Sequence, residues 1–416
     1  MSPHKLLVIA ALAASIGVVR AQQPAGRAQA PASRGQQPPA RGQAPAGRAQ
    51  PGGPTPIPLA FEAIHPIAPP AHPLSESGSA RVTKFAFIVY GDTRNGTDPN
   101  TGLPFDDTVV HPAHRAVMDT MLATINARRR SAFPVRFVLQ TGDAVLSAAV
   151  GRQLNVSYAP VIERLTKGAD IPYFLAIGNH DAAPTAPGDP IRQLGLHNTL
   201  TAISRLIPPE GSPRRLNGYA TYAFGYGNAF VIAYDSTIAA DPLQLAWVTD
   251  QLEHLDRRRF PNVFVMAHYP PYSSGPHGGT VVEPQTQAIR TTYMPLFRKH
   301  HVRMIFAGHE HFFEHWVERY DDGGRAYRLD MLLTGGGGAP TYTYRAEPDL
   351  TAYLASGAAQ NVRLEHDVKP GATIPENPNH FVVVEVDGDR ISAEVVAAGN
   401  APFKPFGGQA KANLTE

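Results

Sequence analysis

Five short segments hold the residue types that could do chemistry: Gly91-Asp92, Gly142-Asp143, Gly178-Asn179-His180-Asp181, Ala267-His268-Tyr269 and Gly308-His309-Glu310-His311. Asp92, Asp143, Asn179, His268, His309 and His311 together offer carboxylate oxygens, an amide oxygen and imidazole nitrogens. That mixture suits two cations about 3.5–4 Å apart, with a hydroxide between them placed to attack the phosphorus of a phosphate ester. Taken singly the segments say little, because a Gly-Asp pair is usually a turn and a lone His is usually structural.

What binds the segments into one reading is what precedes them. Each follows an apolar, often β-branched run: Phe85 to Tyr90, Val135 to Leu139, Tyr173 to Ile177, Val263 to Met266 and Val302 to Ala307. Such runs read as buried strands, so five strands deliver candidate ligands at their C-terminal ends. Helical patterns near 111–130, 154–166, 190–206, 243–258 and 287–300 alternate with them. Beyond His311 the pattern changes to hairpins, Trp316 to Tyr320 with Tyr327 to Thr334 and Phe381 to Val386 with Ile391 to Val396, and Tyr219 to Gly225 with Ala229 to Asp235 forms another. The expected fold is α/β in four layers, αββα: two facing mixed sheets flanked by helices.

With these motifs in this order, the chain resembles the calcineurin-like metallophosphoesterase family, which includes the purple acid phosphatases, over roughly Val82 to Gly399. The resemblance implies two divalent or transition metal ions, of the Mn, Fe or Zn kind, with the identity left open. It implies that Asp92, Asp143 and His311 hold one metal and that Asp143, Asn179, His268 and His309 hold the other, Asp143 being the bridge. It places His180 near the substrate as a proton donor, with Asp181 orienting its ring. It also makes His277 resemble the proton donor that purple acid phosphatases carry after their fourth block; a surface histidine in a Gly- and Pro-rich loop is the competing reading.

The chain departs from the family pattern at two positions. Arg94 stands where many members have a ligand His, and Leu146 stands where purple acid phosphatases have a ligand Tyr. The first metal is therefore expected to be more exchangeable and the protein not to be purple. Arg94 could grip a phosphate oxygen with parallel hydrogen bonds, or pair with a loop carboxylate such as Asp106 or Asp107. His111 and His114 are assigned to a helix start, and His300, His301 and His315 to structural roles. Gly335 to Gly338 reads as a structural turn near the site.

Composition sets the surroundings. Met1 to Ala21 reads as a signal peptide, its 14-residue apolar core being short of the roughly 20 residues a membrane span needs. Export to a bacterial periplasm or the medium is the expectation, and the absence of Cys excludes disulfides and thiolate ligands. Residues 22–75 read as a disordered Pro/Ala/Gly/Arg/Gln-rich linker, either a plain spacer or a loose tether to wall polymer. The catalytic domain is placed at 82–400 and a C-terminal tail at 401–416. The net charge of +2 falls to zero without Lys5 and Arg20, and to −4 without Arg27, Arg34, Arg41 and Arg48. A mildly acidic domain lacks the basic stripe that nucleic acid requires, so the expected partner is a small phosphate ester. Monoester hydrolysis is the first reading; phosphodiester hydrolysis on the same core, or a degenerate scaffold that binds phosphate compounds or wall polymer without turnover, are the alternatives.

Overall fold

The computed structural model describes residues 62–95, 110–183, 188–278 and 282–415. The segment read as a signal peptide, most of the low-complexity arm and Asp106 and Asp107 lie outside the described residues.

The first sheet has six strands in the order β13-β12-β11-β1-β2-β3: β1 Lys84–Tyr90, β2 Val135–Gln140, β3 Tyr173–Leu175, β11 His380–Asp387, β12 Arg390–Ala397 and β13 Lys411–Asn413. The second has seven, ordered β10-β8-β9-β7-β6-β5-β4: β4 Tyr222–Tyr226, β5 Ala229–Ala233, β6 Asn262–Met266, β7 Met304–Ala307, β8 Phe313–Asp322, β9 Arg325–Thr334 and β10 Val362–Val368. Both are mixed. The runs β1-β2-β3 and β5-β6-β7-β9 are parallel, and the outer strands are antiparallel.

Strand β6 explains why its sequence is apolar without alternation. Phe264 and Met266 face a core shared with the first sheet, whereas Val263 and Val265 face a second core beneath the helices Pro242–Glu253 and Met294–Lys299. Covered on both faces, the strand has no polar side to display. Between the sheets, the Phe87 ring lies 5.3 Å from Phe264 and 5.7 Å from Phe306, and Phe174 stacks on Phe224 at 3.9 Å. Helix α1 (Pro112–Arg128) covers the outer face of the first sheet through Val117, Met118, Met121 and Ile125. This is the four-layer αββα arrangement the sequence implies.

Two boundaries need correction. Residues 62–75, read above as part of a disordered linker, pack on the domain: Ile67 is fully buried, its N–H donates to Ala202 O at 2.8 Å, and Thr166 Oγ1 donates to Ala68 O at 2.6 Å. The 401–416 tail supplies β13, which pairs with β12, and buries Leu414. His111 caps α1, His315 is fully buried between Asp330 and Asp367, and His301 stacks on Tyr327.

Ile67→Ala separates the two views of the 62–75 segment. Packed as it is, the substitution should lower stability by about 2–5 kcal/mol, read as a shifted denaturation midpoint at unchanged slope. A disordered linker would give no shift.

Candidate metal centre

The loops that leave β1, β2 and β7 are strained in the same way: Asp92, Asp143 and His309 have φ of 59°, 55° and 75°. Left-handed backbone at non-glycine residues costs roughly 1–3 kcal/mol each and turns the side chain sharply out of the strand direction. Neighbouring loops fix one another. Asp92 N donates to Gly142 O at 2.9 Å, Thr93 N to Asp143 O at 3.0 Å and Gly308 N to His268 O at 3.0 Å. The preceding glycines permit this closeness, since a Cβ on Gly178 would strike the Asp143 carboxylate and one on Gly308 the Asp92 carboxylate.

All six candidate ligands come together. Asp92, Asp143 and His311, all buried, have ligand atoms within 4.8 Å of one another, and His311 Nε2 lies 3.5 Å from Asp92 Oδ1. Across Asp143, His268 Nε2 lies 3.3 Å from Asp143 Oδ1, 2.9 Å from Asn179 Oδ1 and 3.1 Å from His309 Nδ1.

The donor set can be tested for a metal from its protons. His268 Nδ1 bonds Thr141 O at 2.9 Å, His309 Nε2 bonds Glu283 Oε2 at 2.8 Å and His311 Nδ1 bonds Pro340 O at 2.7 Å. Each partner only accepts, so in the neutral rings the protons sit on those nitrogens. The facing atoms, His268 Nε2, His309 Nδ1 and His311 Nε2, then carry lone pairs. Burial keeps the His309 and His311 rings neutral, pushing them down to about 4 and about 3. Electron pairs aimed at one another, with two carboxylates among them, fit cations of the Mn, Fe or Zn kind. Without an ion, burial and the neighbouring Asp143 charge push Asp92 up to about 7, while at Asp143 the upward push of burial is outweighed by the nearby His268 and His180 imidazoles and the Arg94 guanidinium, which hold it below the usual carboxylate range. A like-charged buried pair splits this way until a cation is present.

The expected role of Asp181 is overturned. Its carboxylate does not touch the His180 ring; it accepts from the backbone N–H of Asp143 (2.8 Å), Ala144 (3.0 Å) and Gly178 (2.9 Å), tying the second ligand loop to the third. The His180 ring is held instead by the Leu146 carbonyl, 2.6 Å from Nδ1, with Nε2 3.8 Å from Asp143 Oδ2. Leu146, which stands where the resembling phosphatases carry a ligand Tyr, thus contributes through its backbone carbonyl.

Arg94 lies over the metal group rather than turned away. Its Nε is 3.5 Å from Asp143 Oδ2, is buried and makes no hydrogen bond. His277 is also at the site: its ring centroid is 4.6 Å from that of His309, and its N–H donates to Glu310 Oε1 at 2.8 Å. The Glu283 carboxylate, 3.7 Å from His277 Nδ1, raises the His277 pKa, whereas burial lowers that of His180.

Two residues at the site were not anticipated. Glu283 lies against both His277 and His309, and these bonds hold it down to about 2 in spite of partial burial. Tyr342 stacks on His311 at 4.1 Å. Neither sits in a periodic segment, and a single Glu or Tyr in a loop gives no signal. The Gly335 to Gly338 turn does approach the site, with Gly337 N bonded to Gly91 O at 2.7 Å and Ala339 N to Asp92 O at 2.8 Å.

Comparison with known proteins agrees with this geometry. The sequence profile of the calcineurin-like phosphoesterase family matches residues 86–313, more than half of the chain. A probable purple acid phosphatase of Arabidopsis thaliana is 29% identical over 157 residues, 36% of this chain and 34% of that protein, so the chain spans about a third of that relative's length. Among solved structures, a purple acid phosphatase from yellow lupin (Lupinus luteus) seeds superposes with a TM-score of 0.56 at 15% identity, covering 81% of this chain and 54% of that one. A looser likeness, TM-score 0.43 at 16% identity, covers 77% of this chain and 87% of the GAP50 anchor of the inner membrane complex of Plasmodium. With the match spanning every strand end that carries a candidate ligand, the chain belongs to the calcineurin-like phosphoesterase family.

Proposed function

We propose that this protein hydrolyses phosphate esters, monoesters favoured, at two divalent metal ions, one held by Asp92, Asp143 and His311 and the other by Asp143, Asn179, His268 and His309. The observation that carries the proposal is the convergence of the six ligand side chains, with His268 Nε2 within 3.3 Å of Asp143, Asn179 and His309. When bound, the ions would supply positive charge against the phosphoryl oxygens and lower the pKa of a bound water.

The chain's own residues bind and protonate. Arg94, its side chain 14% exposed and its Nε without a hydrogen bond, is placed to donate to phosphoryl oxygens. His277, 40% exposed at the rim and charged through Glu283, gives its proton to the leaving oxygen as the P–O bond breaks. His180, 27% exposed and kept neutral by burial, donates Nδ1–H to Leu146 O and turns Nε2 toward the site. Monoesters are favoured because a terminal phosphoryl group presents three peripheral oxygens to this ring of groups, one more than a diester. The apolar leader, unlike any structural feature, supports export; N-terminal sequencing of protein recovered from periplasm or medium should start near Gln22.

Exhaustive chelation should abolish turnover of a chromogenic monoester, and a divalent transition metal should restore it. Asp143→Asn, which weakens both positions at once, should lower kcat by roughly a hundredfold or more, on the scale of losing a fixed charge-stabilising group, with the circular dichroism spectrum intact. Full activity in metal-free protein would falsify the reading.

Arg94→Ala should reduce kcat/KM by about ten- to a hundredfold, the loss expected for a charged hydrogen bond to substrate. Metal content should hardly change. If Arg94 served only to balance Asp143, metal content would change and the kinetics at saturating metal would not.

A further inference from the structure

The parallel strands that present the metal ligands at their C-terminal ends open at their N-terminal ends onto a separate cavity of about 470 Å³. Arg257, Arg303, Arg325 and Arg328 all line it, and Asp330 is the one carboxylate among its described lining residues. Arg257 and Pro261 precede β6, His301 and Arg303 precede β7, and Arg325 to Arg328 begin β9. The cavity is therefore at the opposite end of the second sheet from the metal centre.

The four guanidinium groups are unequally committed. Arg328 forks onto Asp330 with contacts of 2.8 Å and 2.7 Å. Arg257 donates to the carbonyls of Pro261, His300 and His301. Arg303 donates through Nη2 to the Asp389 carbonyl at 3.0 Å, and Arg325 lies 5.2 Å over the Tyr327 ring without a carboxylate partner among the described residues. Other nearby acids are engaged: Asp330 also accepts from His315, and Asp322 from His301. Burial lowers the pKa of Arg257 and of Arg303. A neighbouring guanidinium lowers each further, Arg303 acting on the first and Arg328 on the second, with Asp330 and Asp389 offsetting part of this at Arg303.

Gathering cations in a concave site with one lining carboxylate is unfavourable unless an anion completes it. A guanidinium fork matches two oxygens of a tetrahedral oxyanion, and several forks together favour a multiply charged one. We infer that this cavity is a second, non-catalytic binding site for a phosphate group, either free inorganic phosphate or the phosphate of a small ester, held chiefly by Arg303 and Arg325 with Arg257 behind them. The catalytic reading is not needed for this, because none of these residues touches the metal group. Tyr327, sandwiched between His301 at 3.9 Å and Tyr320 at 5.6 Å, gives the site a rigid wall.

The test uses the metal-loaded full chain, titrated calorimetrically with inorganic phosphate and, separately, with phenylphosphonate at constant ionic strength. Two binding events are expected. One is competitive with a chromogenic ester; the other is not, and it weakens by about ten- to a hundredfold in Arg303→Gln/Arg325→Gln, the loss expected for charged hydrogen bonds, while the competitive inhibition constant stays unchanged. Arg325→Gln alone, at an exposed hairpin position, guards against misfolding and should weaken the same event. Tighter binding of phosphate at the second site identifies the free ion as occupant, and tighter phenylphosphonate identifies an ester. A single event in the wild type, or a second event indifferent to both variants, overturns the inference.

Discussion

Two fully buried carboxylates facing one another, Asp92 and Asp143, are the constraint around which this molecule is arranged. Removing a carboxylate from water costs several kcal/mol, and a second like charge nearby adds to it. Such a pair persists only if the rest of the fold cannot relax away from it. The protein meets that requirement by anchoring each loop to a strand covered on both faces, and by bonding loop to loop through backbone groups. The positive φ at Asp92, Asp143 and His309 is sustained by the same rigidity.

Asp181 shows how that rigidity is extended to a third loop. A buried carboxylate accepting three backbone N–H groups is well satisfied, and it fixes the backbone of Asp143, Ala144 and Gly178. Burial and the Asp143 charge push its pKa well up, and the three N–H bonds oppose that rise. Its place beside Asn179 and His180 in the sequence gives no hint of this, since a motif residue reads equally well as reactive or as structural. The His277 loop is held in a similar way, its N–H bonded to Glu310 and its ring facing Glu283. His277 at the rim thus rests on the buried Glu310 and the half-buried Glu283, and the low-dielectric surrounding strengthens such hydrogen bonds.

The candidate ligand set was legible because two independent signals coincide: an apolar run long enough for a buried strand, and directly after it a Gly or Ala followed by an Asp, Asn or His. Parallel strands covered on both faces leave little doubt about burial, so five strand ends could be read one by one. Other features were hidden for physical reasons. Residues 62–75 are rich in Pro, and a Pro-rich composition is the same for a free linker and for an extended segment laid on a domain; the difference rests on Ile67 and a few backbone bonds. Strand β10 alternates weakly, with Arg363 and Asp367 exposed and Leu364, Glu365 and His366 half-buried, so period-2 patterning barely registers. Glu283 and Tyr342 reach the centre through tertiary contact alone.

The second sheet is polarised along its strands, with imidazoles and carboxylates at one end and arginines at the other. A mildly acidic catalytic domain could draw phosphate esters through that arginine cluster only if its field reached the metal centre. From Arg328 to Thr334 along β9 is roughly 20 Å at about 3.3 Å per residue, and the screening length at physiological salt is about 8 Å. Across more than two screening lengths, and through a protein body rather than a cleft, little of that attraction survives. The arginines therefore do not act as a funnel for the catalytic site. On the function proposed above, attraction of substrate would fall to the metal ions and Arg94 at one end, and the arginine cavity would answer to an anion of its own.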